Sequence, residues 1–171
     1  GLSITLSDGM GIENLFGGTG ADTLTGNLRD NVIWGRAGND KLDGGGPGDS
    51  DTLREDRGGG FNLTDTTISL ISTGEVDQYA HFENVSLKGD DSANTLDASL
   101  FSGVVRLDGA GGDDIIKGGT GTNYLTGGPG NDTLFASAGL DIILESRDAN
   151  FTLSDGGLKL DLVPAGTEQD T

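Results

Sequence analysis

An apolar residue recurs every nine positions through much of the chain, and this period constrains the fold more than any other feature. The first series is Leu15, Leu24, Ile33 and Leu42, with Leu53 eleven residues later, and the second is Leu96, Leu107, Ile116, Leu125, Leu134 and Ile143. Nine is not a helical heptad, and self-similarity at a fixed period is the sequence signature of a repeat architecture. We therefore expect a stack of small structural units.

Each nine-residue unit joins a glycine-rich turn to a short strand. Clear copies are GGTGADTLT at 17–25, GRAGNDKLD at 35–43 and GGPGNDTLF at 127–135. In a strand of three residues the central side chain points inward and its neighbours point outward. The pattern thus predicts a thin aliphatic core between two short parallel sheets, with turns eighteen residues apart lying directly above one another.

The composition excludes several classes of protein. The 171 residues include 32 glycines, no cysteine and one histidine, and the formal net charge is −18. Without cysteine the chain has no disulfide framework, thiolate metal site or cysteine nucleophile. It lacks the basic footprint that nucleic acid requires, and no apolar run approaches the roughly 20 residues of a membrane helix. We expect no nucleic-acid binding, no membrane insertion and cations as partners.

The sixth position of the repeat, which is Asp or Asn, predicts metal sites. Adjacent strands lie about 4.8 Å apart and calcium bonds oxygen at about 2.3–2.6 Å, so an ion midway between stacked turns reaches both. Magnesium fits less well because it demands short octahedral bonds. At least four calcium sites are expected, with ligand pairs Asp22–Asp40, Asn31–Asp51, Asp114–Asp132 and Asn123–Asp141. Further half-sites at the edges of each run have as candidate ligands Glu13, Asp49, Asp90, Asn94 and Asp113.

The units GGTGADTLT and GGPGNDTLF resemble the nonapeptides of the RTX (repeats-in-toxin), hemolysin-type calcium-binding repeat family. The resemblance implies an all-β fold, a right-handed parallel β-roll or β-helix solenoid with calcium in the turns, and type I secretion. It also implies that turn carbonyls complete the sites, contributed by Gly17, Thr19, Arg36, Gly38, Gly46, Gly48, Gly109, Gly111, Gly118, Thr120, Gly128, Gly130, Ser137 and Gly139. Asn31 and Asn123 depart from the usual Asp and lower the ligand charge, and Arg29 stands where glycine is usual.

The chain divides into five segments. Residues 1–16 are a partial repeat unit and N-terminal coil, 17–53 the first repeat run, 54–88 longer β coils linking the runs, 89–144 the second run, and 145–171 a C-terminal β coil with a polar tail. Stretches such as TISLI and LKLDL alternate apolar and polar residues, which is typical of strands. The linking segment fits either a continuation of the solenoid or a separate small sheet.

We interpret the chain as a calcium-binding β-roll module of a bacterial secreted or cell-surface protein that folds on calcium outside the cell. Its role would be structural, adhesive or secretion-assisting rather than enzymatic, as a fragment of a larger parent chain. The alternatives are a carbohydrate-active parallel β-helix enzyme fragment, and an adhesin module with a glycan or cell-surface partner.

Three further features of the sequence invite other interpretations. Trp34 is expected to point outward, where it either covers a neighbouring coil or contacts a carbohydrate. His81 is interpreted as a surface residue rather than a catalytic base. The Asp-Asp pairs at 90–91 and 113–114 invite comparison with glycosidase carboxylates, but consecutive strand residues point to opposite faces, which disfavours that chemistry.

Overall fold

Short strands alternate along the chain between two stacked sheets. The computed structural model describes residues 1–9, 11–144 and the backbone of 150–154, and these residues form strands and turns without a helix. The ten-stranded sheet contains β1 (Ser3–Thr5), β3 (Thr23–Thr25), β5 (Lys41–Asp43), β7 (Phe61–Thr64), β8 (Thr67–Leu70), β9 (Val76–Ala80), β11 (Thr95–Leu100), β13 (Ile115–Lys117), β15 (Asn131–Phe135) and β17 (Asn150–Ser154). The seven-stranded sheet contains β2 (Asn14–Phe16), β4 (Val32–Trp34), β6 (Thr52–Glu55), β10 (Asn84–Lys88), β12 (Val104–Asp108), β14 (Thr122–Thr126) and β16 (Leu140–Ile143).

Within each sheet a strand pairs with the strand one coil away. Leu24 of β3 lies opposite Leu42 of β5 in a parallel register, and Leu15 of β2 lies opposite Ile33 of β4. Each pair is separated by eighteen residues, which is two nonapeptides. One coil therefore consists of two turns and two strands, and the predicted all-β parallel β-roll is confirmed.

The core is the predicted column of single aliphatic side chains. Leu24, Ile33, Leu53, Leu107 and Leu134 are all fully buried, because alternation along each strand sends the central residue between the sheets. Burying one such side chain contributes about 1.5–3 kcal/mol, and the repeat supplies only one for every nine residues. A core this thin leaves much of the stability to be supplied by the turns.

The segment between the two repeat runs adds a meander to the ten-stranded sheet. Its order there is β5-β9-β8-β7-β11, and β8 pairs antiparallel with both β7 and β9. The reason is the two-residue connection from β7 to β8, since only antiparallel strands can be joined by so short a link. In the other sheet β6 pairs directly with β10, with Leu53 opposite Val85. Both sheets therefore run through this segment, which forms no separate sheet.

At the C-terminal end, β17 pairs parallel with β15. The rest of the predicted C-terminal coil and polar tail, residues 145–149 and 155–171, lies outside the described residues, as does residue 10. Within the described part of the chain no helix is long and apolar enough to span a bilayer.

Candidate metal centres

The turns form two stacks, one at each edge of the solenoid. We call the turns that lead into the ten-stranded sheet the first turn stack and those that lead into the seven-stranded sheet the second turn stack. The first contains Asp22, Asp40, Asp114 and Asp132, and the second contains Asn31, Asp51, Asn123 and Asp141. All eight side chains are at most 4% exposed, so the sixth position of every repeat is buried despite its polarity.

The structure brings the two members of each predicted pair together. The N–H of Asp22 donates to Oδ1 of Asp40 at 2.8 Å, and the same contact joins Asp114 to Asp132 at 2.9 Å. In the second turn stack the N–H of Asn31 donates to Oδ1 of Asp51 at 2.7 Å. The Asn123 amide donates instead from its side chain, to Oδ1 of Asp141 at 2.9 Å.

In four of these carboxylates one oxygen accepts a backbone hydrogen bond from the neighbouring coil, while the other accepts none. Oδ2 of Asp40, Asp51, Asp114 and Asp132 is buried and accepts no hydrogen bond from any described residue. Burying an unpaired charged oxygen is costly, and carboxylate and backbone oxygens are the ligands that calcium prefers. These residues therefore fit a calcium ion, which would supply the positive charge that these oxygens lack.

The pKa values of these carboxylates also indicate that their buried negative charge is unfavourable without a cation. Burial raises the pKa of Asp51 to about 6 and, with the charge of Asp132 nearby, that of Asp114 to about 6. Burial also raises the pKa of Asp40. The pKa of Asp22 is lowered instead, because the backbone N–H groups of Gly18 and Leu2 donate to its carboxylate. The two N–H donors of Asp22 thus offset the cost of burial that Asp40, Asp51 and Asp114 show.

The first glycine of the nonapeptide has a steric role at these sites. A Cβ at Gly17 would lie 2.7 Å from Oδ2 of Asp22, and a Cβ at Gly44 would lie 2.5 Å from Oδ2 of Asp51. Both distances are shorter than real Cβ atoms tolerate. The turn therefore folds over its own carboxylate only if this position carries no side chain.

The carbonyl positions that the resemblance implies as ligands all lie in turns. They are Gly17, Thr19, Arg36, Gly38, Gly46, Gly48, Gly109, Gly111, Gly118, Thr120, Gly128, Gly130, Ser137 and Gly139. Arg36 adopts the left-handed φ of 65° at a repeat position where Gly128 has 97°. A non-glycine residue in this region is strained by about 1–2 kcal/mol, so the turn conformation is kept even where the glycine is lost.

The Asn123–Asp141 pair differs from the others because its oxygens are already partnered. The Asn123 amide nitrogen donates to the carbonyl oxygens of Gly119 at 2.9 Å and Gly121 at 3.2 Å, and to Oγ of Ser137 at 3.2 Å. The second oxygen of Asp141 accepts the N–H of Ser137 at 2.9 Å. The two N–H groups of the amide thus lie among four acceptors, in the place that a cation would otherwise take.

In the Asn31–Asp51 pair, by contrast, the asparagine amide does not supply hydrogen bonds to the second carboxylate oxygen. The Asn31 amide nitrogen donates to the carbonyl oxygen of Glu13 at 3.3 Å, and Oδ2 of Asp51 stays without a donor in the described part of the chain. Two asparagines at the same repeat position therefore have different consequences for a cation.

The structure extends both stacks with residues outside the four predicted pairs. The additional contacts are Asp40 N–H to Oδ1 of Asp77 (2.8 Å), Asp51 N–H to Oε2 of Glu83 (2.9 Å) and Asn94 N–H to Oδ1 of Asp114 (2.8 Å). Asn94 was expected as a half-site, whereas Asp77 and Glu83 were not among the expected ligands. The signal was present, because Asp77 precedes the buried Tyr79 by two residues, as Asp40 precedes Leu42.

The remaining half-site candidates differ in their contacts. Both carboxylate oxygens of Asp49 are buried without a hydrogen-bond partner among the described residues. Asp90 accepts from Ser92 N–H at 2.9 Å, a hydrogen bond that lowers its pKa. Asp113 accepts from Asn131 N–H at 2.8 Å at an exposed position. The carbonyl oxygen of Glu13 accepts from Asn31, as described above.

Two other residues singled out in the sequence make local contacts. Trp34 packs edge-on against Phe16, with ring centroids 6.0 Å apart, and lies under the guanidinium groups of Arg36 and Arg54. His81 Nδ1 lies 2.7 Å from Oδ1 of Asp43, and more than half of its side chain is exposed. No point in the described ranges gathers three or more acidic or histidine side chains into a metal cluster, so the candidate sites are side-chain pairs completed by the backbone.

The fold and the stacked acidic turns together define a class, the calcium-binding parallel β-solenoids. The two runs belong to the family of RTX calcium-binding nonapeptide repeats, whose model matches residues 11–47 and 108–143 in four copies. The predicted repeat family is thereby confirmed for these two runs, which make up less than half of the chain. No curated protein matches the chain.

Proposed function

We propose that this chain is a calcium-triggered folding module of a bacterial secreted or cell-surface protein, with a structural, adhesive or secretion-assisting role and no enzymatic activity. One observation carries the proposal. A buried carboxylate oxygen without a hydrogen-bond donor recurs at Asp40, Asp51, Asp114 and Asp132, at the turns that the family repeat assigns to calcium. The side chains named above and the turn carbonyls would hold at least four ions, with the Asn123–Asp141 pair the weakest.

The mechanism is the linkage of binding to folding. An ion that binds only the folded chain stabilises it by RT ln(1 + [L]/Kd), which is about 2.7 kcal/mol per site at a free concentration 100-fold above Kd. With a thin core and a charge of −18, the calcium-free chain should be expanded. Several sites that fill together would then drive folding cooperatively.

The proposed location follows from the same linkage. Extracellular calcium modules work at about 10⁻⁴–10⁻³ M, well above cytosolic levels. A chain that stays unfolded in the cytosol is suited to export in an extended form, and RTX repeat proteins are typically secreted. Type I secretion and a larger parent chain are part of this proposal.

A calcium titration tests the proposal. The full chain is followed by circular dichroism and small-angle scattering, first with excess chelator and then with rising calcium. We expect a change from an expanded chain to a compact, strand-rich one, and a higher midpoint for Asp114→Asn. The matched control is Asp91→Asn, which removes the same charge from an exposed side chain nearby. An equally compact, strand-rich chain in chelator would refute the proposal.

A glycan-binding role is the second candidate, and one surface favours it. On the outer face of the seven-stranded sheet Trp34 contacts both Phe16 and Arg54, and Arg106 lies beside Tyr124 in register. Aromatic faces with guanidinium groups are suited to stacking on sugars and pairing with their carboxylates.

Binding of a polyuronate to calcium-loaded protein tests this role. It should weaken in Trp34→Ala and in Arg106→Ala, and it should persist in Lys41→Ala, which removes an exposed cationic side chain of the ten-stranded sheet. Equal binding by all four proteins would remove the candidate. Release of new reducing ends from the polymer would instead favour the carbohydrate-active enzyme.

A further inference from the structure

A row of outward-pointing side chains crosses the seven-stranded sheet from strand to strand. The strands β2, β4, β6, β10, β12 and β14 are consecutive in this sheet, and each contributes one residue that stands beside a buried core residue of its own strand. Side chains alternate along a strand, so these residues share the outer face. In sheet order they are Phe16, Trp34, Arg54, Ser86, Arg106 and Tyr124. The row is one residue wide, which suits a single linear ligand.

The centre of the row is a groove between two arginines. Ser86 lies opposite Arg54 in one neighbouring strand and opposite Arg106 in the other. The two arginine positions are therefore two strand spacings, or about 10 Å, apart, with a small hydroxyl side chain between them. These three residues line one groove, and a second groove, lined by Ser86, Arg106 and Tyr124, continues it. A ligand in the groove would thus pass from one guanidinium over Ser86 to the other, and on to an aromatic ring.

The cationic groups of this face differ in their partners. Arg54 pairs with Asp56 at 2.7 Å, and Lys88 pairs with Asp108 at 3.3 Å. Arg106 is exposed and forms no ion pair with a carboxylate of the described residues, although the chain has 28 acidic side chains against 10 basic ones. Its guanidinium is therefore available to a carboxylate from another molecule, which it would bind through two parallel hydrogen bonds.

We propose that this row binds a linear polysaccharide that carries a carboxylate on every second sugar. Arg54 and Arg106 each pair with one carboxylate, the neutral sugar between them lies over Ser86, and a further sugar stacks on Tyr124, whose ring offers a large amphipathic surface. Two sugars of an extended β-linked chain cover about the distance between the two arginines. A carboxylate on every sugar would instead leave one charge over Ser86, where the row has no cation.

The row exists only when the coils are stacked, because each coil adds one residue to it. Trp34 lies in the first repeat run matched by the family and Tyr124 in the second, while Arg54 and Ser86 come from the segment between them. The inference names the ligand of the glycan-binding role considered above, and it rests on the proposed calcium-dependent folding. Calcium would then control the binding of the polysaccharide without contacting it.

The test is isothermal titration of the calcium-loaded chain with three octasaccharides. In the first, glucuronate alternates with N-acetylglucosamine; the second is a neutral chitin octasaccharide, and the third carries glucuronate at every position. The variants are Arg106→Gln, Tyr124→Ala, Tyr124→Phe and Asp56→Asn, and the matched control is Lys41→Gln, which removes a positive charge from an exposed position of the ten-stranded sheet. Circular dichroism in calcium confirms that each variant is folded.

We expect the alternating octasaccharide to bind more tightly than the other two, and to bind only in calcium. Arg106→Gln should weaken this binding by roughly tenfold, since it removes a hydrogen-bonded charge pair. Tyr124→Ala should also weaken it, whereas Tyr124→Phe keeps the ring and should preserve it. Asp56→Asn should tighten it, because the substitution releases Arg54 from a competing carboxylate. Lys41→Gln should bind as the wild type does.

Binding of the neutral or the fully charged octasaccharide as tightly as the alternating one would overturn the inference. So would equal affinities of the wild type and Arg106→Gln, or an Asp56→Asn chain that binds no more tightly than the wild type. A chain that folds in calcium and binds none of the three octasaccharides would also overturn it, while leaving calcium-dependent folding intact. Failure of the proposed function is a different result, namely a wild-type chain whose strand signal is the same in chelator as in calcium.

Discussion

The backbone N–H of Asp114 donates to Oδ1 of Asp132, one coil further along, while Oδ2 of Asp132 is buried without a hydrogen-bond donor in the described residues. The two oxygens of one carboxylate thus have separate roles. The first accepts a backbone hydrogen bond from the neighbouring coil, and the second presents negative charge that only a cation offsets. Neutralising such a carboxylate should therefore affect the calcium-free and calcium-bound states in opposite directions.

Asp51→Asn should show this reversal of sign. Asp51 is fully buried, and burial raises its pKa to about 6, so the calcium-free fold carries an unfavourable charge at neutral pH. We expect the variant to show more strand signal than the wild type in chelator by circular dichroism, and to be less resistant to urea in calcium by about 1–2 kcal/mol, or roughly tenfold in an equilibrium constant. The exposed Asp8→Asn should change neither measurement. A loss of strand signal in chelator would contradict the prediction.

Asn123→Asp should create a calcium requirement in a turn that is satisfied without one. The substitution removes the amide nitrogen that donates to Gly119, Gly121 and Asp141 and adds a carboxylate beside another. We expect tighter calcium binding, measured by isothermal titration, and no gain of structure in chelator. Asn14→Asp, at an exposed strand position, is the control. An unchanged calcium affinity would show that the amide nitrogen does not stand in for the cation.

Much of this fold could be predicted because the repeat is local and periodic. The column from Leu15 to Ile143 and the pairing of Asp22 with Asp40 depend only on a fixed coil of eighteen residues, which the nine-residue spacing defines. Position in the repeat also predicts which side chains are buried, since strand alternation leaves one inward site.

The unpredicted parts are those where the coil length changes or a side-chain hydrogen bond decides the outcome. The hairpin at β8 and the addition of Asp77 to the first turn stack follow from a long insertion, for which the spacing gives no register. Asn31 and Asn123 are equivalent in the repeat, yet only the amide of Asn123 is surrounded by acceptors. The salt bridges of Arg57 join Glu55, Glu75 and Asp77, which share no sequence pattern.

Gly35→Ala should impair one site selectively. A Cβ at this position meets only the Asp40 side chain, whose Cγ would lie 3.2 Å away, so the carboxylate must move from its place in the column. We expect a stability loss of about 1–3 kcal/mol, typical of overpacking, and weaker calcium binding by titration. Gly9→Ala, where a Cβ would have no neighbour within 4 Å, should leave both unchanged. Equal effects of the two substitutions would refute the steric role of the first glycine.

Acidification should partly replace calcium. Burial raises the pKa of Glu55 to about 7 and the pKa values of Asp51, Asp77 and Asp114 to about 6. Because these folded-state values exceed the usual values of unfolded carboxyl groups, the folded chain binds more protons than the unfolded chain between about pH 4.5 and 7. Stability in chelator should therefore rise as the pH falls from 8 towards 5.

Calcium binding should show the opposite dependence, since protons compete for the same oxygens. We expect the midpoint of the calcium titration to move to higher concentration as the pH falls through 6, and proton release on binding to be detectable in two buffers of different ionisation enthalpy. Circular dichroism in chelator at several pH values checks the first effect, as a gain of strand signal towards pH 5. A calcium-free chain whose stability falls steadily from pH 8 to 5 would show that these carboxylates are not the groups whose charge opposes folding.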